Sequence, residues 1–274
     1  MTTIFSAIGD IGHFDQSLFQ LTEQIGSKRN SFAVILGDNF YPTGITTLMD
    51  ERINYLIQAL MAMNTKTLGV LGNHDYMGNI WAQTKLPFWH MPSNYHHQTI
   101  GTVLCVCIDT MVLDPEHIML FDDVNRQHID LGTAMTHQLN WLHSTLSQSR
   151  ARYKVVFGHY PILSSGSYPD NLKLTRILIP IFKRYGVIAY ISGHDHNTQH
   201  IQQEYEGYLF NQFVVGCSNI NEAYRVNRMR SGCLHYSAEP AFLRVKANRS
   251  SATFKVLNVN GQVLYRYEQE RHLH

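Results

Sequence analysis

The chain is short of the features that would take it out of the ordinary globular class. No apolar run is longer than a strand, so no transmembrane helix is expected. No basic n-region or long h-region precedes the apolar segment Thr3–Ile8, so no secretory signal is expected in this chain. Charge is sparse, at 16% of residues, and the formal net charge of +1 gives no pull toward nucleic acid or acidic membranes. Basic runs, heptads, repeats and low-complexity tracts are missing, which removes the tail, coiled-coil and solenoid classes. Cysteine is scarce too, at four residues. Cys105 and Cys107 alternate along Val103–Ile108 and share a face, as buried small hydrophobes do. A Cys-x-Cys metal pair is the alternative, but no second pair stands at zinc-like spacing. Cys217 and Cys233 could pair, though nothing requires it. Asn248-Arg249-Ser250 fits a glycosylation acceptor, a triplet common by chance. The compartment is thus weakly determined, and a reducing, cytoplasmic one is the expectation.

What is present is an α/β alternation. The 274 residues allow one large domain or two small ones. Strands are expected at Thr3–Ile8, Phe32–Leu36, Leu68–Leu71, Thr102–Ile108, Tyr153–Phe157 and Val187–Ile191. Helices are expected over Phe14–Ile25, Leu48–Met63, Met135–Ser149 and Asn171–Tyr185, where apolar residues recur at helical spacing. From Gln199 onward only strand-like segments follow: Tyr208–Val215, Ala241–Val245, Ala252–Leu257 and Val263–Tyr267, the last two joined by an Asn260-Gly261 turn. The expectation is one α/β domain spanning 1–274, its last third finishing a second sheet.

Five strand ends carry a glycine followed by residues able to hold a metal. Ligands gather at the carboxyl ends of strands in open α/β folds. The fifth cluster, Gly193-His194-Asp195-His196, sets two imidazoles one residue apart, on one face if strand character persists. Asp195 between them reads as a supporting or capping group. Asp10, in Gly9-Asp10-Ile11-Gly12, is a hard anionic donor, or alternatively an N-cap for the helix that follows. His13 is out of step with strand alternation and is left out. Asp38, after Gly37, could bridge two cations with its two oxygens. Tyr41, three residues on, is a poor ligand as a phenol, but a trivalent ion can take the phenolate; the alternative is a loop tyrosine packed under Pro42. Asn73, in Gly72-Asn73-His74-Asp75, offers a neutral oxygen. His74 projects differently and could act on substrate, with Asp75 accepting from its ring. His159 follows Gly158 after the fourth of these strands. Asp10 and Tyr41 with one histidine form a hard set suited to Fe(III). Asn73 with two histidines suits Fe(II), Zn(II) or Mn(II).

In order, Gly-Asp-x-Gly, Gly-Asp-x-x-Tyr, Gly-Asn-His-Asp, Val-x-x-His and Gly-His-x-His resemble the purple acid phosphatases, within the calcineurin-like metallophosphoesterases. The similarity extends across nearly the whole chain and is closest to the short mammalian, tartrate-resistant type. Gly12 stands where most of the superfamily has a ligand histidine, and Tyr41 is the purple variant's substitution. The resemblance implies a two-sheet β-sandwich flanked by helices (αββα). It implies Fe(III) on Asp10, Tyr41 and His196, a divalent ion (Fe, Zn or Mn) on Asn73, His159 and His194, and Asp38 bridging. It also implies hydrolysis of phosphate monoesters, small or on phosphoprotein, by attack of a metal-held hydroxide. Asp38 and His74 are the catalytic residues, His74 binding phosphate and assisting the departing alcohol, with Asn73, His74 and Tyr168 on the substrate. Two departures stand out. Tyr168 takes the place of a histidine thought to serve substrate protonation, and neither Met111–Gly132 nor Ser164–Leu174 has a cysteine for the family's loop disulfide. Trp81–His97 and the 111–132 loop are expected to form the rim, and the chain is expected to be a monomer. Rival readings are a Mn or Zn phosphodiesterase or phosphoprotein phosphatase of the superfamily, and a metal-poor scaffold.

Overall fold

A strand buried on both faces needs apolar residues without alternation, and the central strands here have them. In the computed structural model, which describes residues 2–116, 130–216 and 229–270, the chain begins β1 (Thr3–Ile8), α1 (Gln16–Gly26), β2 (Phe32–Leu36), α2 (Arg52–Met63), β3 (Thr67–Val70). A 3₁₀ turn (Asp75–Met77), α3 (Ile80–Gln83), β4 (His96–Ile100), β5 (Val103–Cys107), α4 (Thr110–Leu113) and α5 (Leu131–Gln148) follow. Next come β6 (Tyr153–Phe157), α6 (Leu172–Tyr185), β7 (Val187–Ser192), β8 (Thr198–Tyr205) and β9 (Tyr208–Val215). The described residues end in β10 (Cys233–Ser237), β11 (Ala241–Ala247), β12 (Ser251–Asn258) and β13 (Val263–Glu270). No helix among them is long and apolar enough to cross a membrane.

The strands form two mixed sheets, ordered β13-β12-β11-β1-β2-β3 and β10-β8-β9-β7-β6-β5-β4. This is the expected helix-flanked sandwich, with one correction. The last third does not simply finish a second sheet. It divides, β11 pairing antiparallel with β1 in the first sheet while β8 to β10 extend the second. Between the sheets lies an apolar layer in which Phe5 stacks on Phe32 at 4.8 Å and meets Phe157 edge-on at 5.7 Å. Phe213 stacks on Phe254 at 4.5 Å across the other half. Each such side chain contributes roughly 2–3 kcal/mol by leaving water. Cys105 and Cys107 sit in this layer, buried as small hydrophobes, and burial pushes both thiols up. Cys217 lies outside the described residues, as do 117–129 of the predicted 111–132 loop.

Helices start where a side chain satisfies their first N–H groups. Asp15 accepts from Leu18 at the start of α1, and Asn171 from Leu174 at the start of α6. The predicted starts shift both ways: α1 begins at Gln16 rather than Phe14 and α2 at Arg52 rather than Leu48, whereas α5 begins at Leu131, ahead of the expected Met135, where Asp130 accepts from Gly132 and Thr133 N–H. β4, β8 and β10 were not foreseen, because His-His-Gln-Thr-Ile, Thr-Gln-His-Ile-Gln-Gln-Glu-Tyr and Cys-Leu-His-Tyr-Ser carry too many polar residues to read as strands. Backbone pairing holds them, β4 on the apolar β5, β8 on the apolar β9, and β10 on β8 in turn.

At one end of the intersheet layer the ring of His200 is fully buried. It stacks on Phe213 at 4.2 Å, and its two nitrogens reach Tyr265 Oη at 2.8 Å and Asn211 Oδ1 at 3.2 Å. Burial pushes His200 down to about 4. In the unfolded chain the same ring titrates near about 6.5, so between these values the unfolded state binds more protons. The stability His200 contributes is complete above pH about 6.5 and is lost as pH falls through about 4. His200→Gln, neutral at every pH, is expected to shrink the stability loss between pH 7 and 4.5 by on the order of 2 kcal/mol. Urea unfolding at the two pH values checks this; an undiminished loss in the variant removes His200 from the acid response.

Candidate metal centre

Every cluster singled out in the sequence sits just past a strand: Asp10 after β1, Asp38 after β2, Asn73 after β3, His159 after β6, His194 and His196 after β7. β1 to β3 belong to one sheet and β6 and β7 to the other, so the site straddles the top of the sandwich. The chain must turn sharply there. Asp10, Asp38 and His194 all adopt left-handed backbone, with φ of 58°, 52° and 71°. Side-chain-bearing residues hold such angles only where surrounding bonds over-determine them. Here Asp10 N–H donates to Gly37 O at 3.0 Å, the Asp10 carboxylate accepts from His194 N–H at 3.0 Å, and Asp38 Oδ1 accepts from His74 N–H at 3.0 Å. Two glycines allow the approach: a Cβ at Gly72 would stand 2.2 Å from Asp38 Oδ1, and one at Gly193 2.6 Å from Asp10 Oδ2.

The structure brings all seven predicted donors into one buried pocket, in two halves that meet at Asp38. On one side Tyr41 Oη lies 2.8 Å from Asp38 Oδ2, 3.0 Å from His196 Nε2 and 3.2 Å from Asp10 Oδ1. On the other, His159 Nε2 lies 3.1 Å from Asn73 Oδ1 and 3.4 Å from Asp38 Oδ1, with the His194 ring 5.1 Å from that of His159. His159 Nδ1–H donates to the Leu36 carbonyl at 2.8 Å, which fixes Nε2 as the nitrogen facing the pocket. Donors of Asp10, Asp38 and His159 all fall within 4.8 Å of one another. Two donors bonded at about 2.1 Å and at right angles stand about 3 Å apart. The spacings here are of that size.

Several sequence expectations change in detail. Strand character does not persist past Gly193; the left-handed turn at His194 sends the two imidazoles to opposite halves. Asp75 does not receive the ring of His74. The His74 Nδ1–H donates to the Pro42 carbonyl at 2.6 Å, and its Nε2 stands 3.9 Å from Asp38 Oδ2 at the half-exposed mouth. Asp75 points the other way because the 3₁₀ turn begins between them. It is fully buried and accepts from Gly72 N–H (2.8 Å), Gln83 Nε2 (2.9 Å), Asn39 Nδ2 (3.0 Å) and Asn39 N–H (3.1 Å). Asn39 and Gln83 were missed; their only signal was polarity beside buried positions. Asp195 supports the pocket from behind, accepting from Ser164 Oγ and from Gln199 Nε2 at 3.0 Å. That anchors the loop whose Tyr168 ring stacks on His194 at 4.2 Å and 28°. His13, set aside on alternation, stacks on Tyr41 at 4.1 Å and 14°, since the chain has left the strand by Gly12.

Electrostatics follow from packing acids with bases out of water. Burial opposes the charge on Asp38, yet His159, His74 and His194 hold its carboxyl well below the usual range. Burial likewise opposes a charged His159, but Asp38 and Asp10 raise it to about 9. Burial and the same two carboxylates push the Tyr41 phenol well up. Asp75 is raised to about 7, first by burial and then by the charge of Asp38.

Residues 5–198 match the calcineurin-like phosphoesterase family model. The chain is similar to mouse (Mus musculus) tartrate-resistant acid phosphatase type 5, 29% identical over 297 residues, covering 97% of this chain and 89% of that protein. It is similar to purple acid phosphatase 17 of Arabidopsis thaliana, 28% identical over 300 residues, covering 98% and 85%. Among solved structures its fold is shared by GAP50, the anchor in the inner membrane complex of Plasmodium, with a TM-score of 0.81, 23% identity and 99% and 90% coverage.

The buried donors around Asp75 generate a prediction. Asp75→Asn turns an amide N–H₂ toward groups that themselves donate, leaving them unsatisfied, and is expected to destabilise the fold by about 2–3 kcal/mol. Urea unfolding measures it; a cost under about 0.5 kcal/mol would show the network to be dispensable.

Proposed function

The chain belongs to the calcineurin-like phosphoesterase family, and from that membership and the two donor sets we propose that it is a dinuclear-metal phosphatase acting on phosphate monoesters. It is purple acid phosphatase-like, and as proposed it works as a single domain over 1–274 and as a monomer. The observation that supports this most is the placing of Asp38, whose two oxygens face Tyr41 on one side and His159 on the other. Asp10, Tyr41 and His196 would hold Fe(III), Asn73, His159 and His194 the divalent ion (Fe, Zn or Mn), and Asp38 both.

The donor chemistry fits the ions. A phenol pushed up by burial and by two carboxylates releases its proton only to a strongly polarising cation, which separates the Tyr41 half from the neutral Asn73 half. When bound, the metals supply Lewis-acid charge to the phosphoryl oxygens and a water of lowered pKa. The protein's own groups do the rest. His74, its Nδ1 proton anchored on Pro42, can carry a second proton on Nε2 at the mouth, to bind phosphate and to protonate the departing alcohol. Asn73 beside it and Tyr168, held against His194, bound the space for the ester. Tyr168 in the histidine's place leaves His74 as the proposed proton donor.

Elemental analysis with a visible spectrum on unchelated protein is the direct test. Two ions per chain and a violet band that Tyr41→Phe abolishes are expected. Colourless, active protein with Mn or Zn would favour the phosphodiesterase or phosphoprotein phosphatase alternative, and less than one ion per chain would sink the metalloenzyme altogether. Asp38→Ala should lose both metal and turnover, by about 10³-fold or more if charge neutralisation at the phosphoryl group depends on it. His74→Ala should keep its metal and lose about 10²–10⁴-fold in kcat, the scale of general acid catalysis; steady-state kinetics beside metal content separates the two.

A further inference from the structure

A sheet edge presents unpaired N–H and C=O groups, and folded proteins blunt it with charge, a bulge or a cover. Of the four edges here, three are treated so. β13 carries Arg266, Glu268 and Glu270 along its length. β3 is covered at His90, whose backbone bonds Thr67 O at 2.8 Å and Gly69 N–H at 3.3 Å. β10 has a register shift between Cys233 and His235. Among the described residues β4 has none of these devices. Its sequence, His-His-Gln-Thr-Ile, holds no lysine, carboxylate or proline, and it pairs with β5 without a register break. Among the described residues no strand lies on its outer side.

The register says which groups are open. Ile100 opposite Val103 closes the two-residue turn Gly101-Thr102. Exchanged hydrogen bonds then fall on Ile100, Gln98 and His96, and the N–H and C=O of His97 and Thr99 point away from the sheet. Both residues are exposed, and both line a groove of about 680 Å³ between this edge and the second half of α5. Its helix side presents Trp141, half buried with its ring 4.8 Å from Tyr95 and 5.8 Å from His97, and then Thr145 and Gln148. Arg150 is exposed at the groove, and no described lining residue is acidic. Gly101 and Arg150 lie at the strand starts of β5 and β6, the end of the sandwich opposite the metal pocket.

We propose that β4 accepts an extended acidic segment of a partner protein as an added strand, docked in the groove under α5. Backbone pairing with His97 and Thr99 supplies affinity, Trp141 receives an apolar side chain, and Arg150 selects carboxylates. A second copy is the poorer occupant. Two β4 strands paired about a two-fold axis run antiparallel, so Arg150 of each copy would lie toward the His96 end of the other strand, where no described lining residue offers a carboxylate. The site stands apart from the phosphatase pocket and would hold the enzyme to its partner with that pocket open.

The test titrates the full chain into fluorescein-labelled nonapeptides in which valine alternates with glutamate, or with lysine, read by anisotropy. The glutamate peptide is expected to bind saturably and about tenfold or more tightly than the lysine peptide, the bias that charge complementarity supplies. Thr99→Pro removes one outward N–H at an edge position where proline is tolerated, and should weaken binding about tenfold with phosphatase activity unchanged. Arg150→Glu should reverse the preference between the two peptides, which keeps the test sound if the proline variant folds poorly. Equal binding of both peptides, or an Arg150→Glu preference identical to the wild type, overturns the proposal. So does a dimer in sedimentation that Thr99→Pro dissociates, because the edge is then taken by a second copy.

Discussion

A carboxylate that is almost wholly buried cannot stand without compensation, and the site is built on how Asp38 obtains it. Its two oxygens are served from different directions: Tyr41 and His159 reach it by side chain, and His74 by its backbone N–H. These come from three strand ends in two sheets, so the electrostatic need of one side chain ties the tops of both sheets together. Removing a single partner from such a cluster leaves a buried charge uncompensated, which costs far more than the pair itself contributes. Tyr41 Oη donates to Asp38 and the His159 ring stands against its other oxygen, and the same donors are spaced for cations.

Strain and support are distributed accordingly. Left-handed backbone at Asp10, Asp38 and His194 costs of order 1 kcal/mol or more at each. Those angles persist because the residues behind them are locked: Asp75 by four donors, Asp195 by Ser164 and Gln199, His159 by the Leu36 carbonyl. The stacked phenylalanines between the sheets supply the rigidity that keeps β1, β2, β6 and β7 in fixed relation. Precision at the top of the sandwich thus rests on dense packing below it.

Around this centre two further rings are placed. Tyr168 lies over His194, and His13 over Tyr41, so an aromatic ring covers a donor in each half of the pocket. Among the described residues β4, at the edge of the second sheet, is left open where the other edges are closed. As proposed, the two ends serve different tasks, chemistry at the metal pocket and partner contact at β4.

Much of this was legible in the order of residues. Repeated glycine followed by Asp, Asn or His after apolar runs identified the strand ends, because a backbone turning close to a ligand needs glycine before it. The core strands were equally plain, since burial on both faces demands uninterrupted apolar residues. Polar strands such as β4 and β8 were not legible, because pairing with a neighbour rather than their own composition makes them strands. Nor did local spacing predict that His194 and His196 face opposite halves, that Asp75 turns its back on His74, or that His13 reaches Tyr41. By itself the sequence determined which donors exist and that they follow strands. Only the tertiary structure decided which of them share a space, because positive φ angles, sheet order and the division of the last third between two sheets arise from long-range packing that no local pattern records.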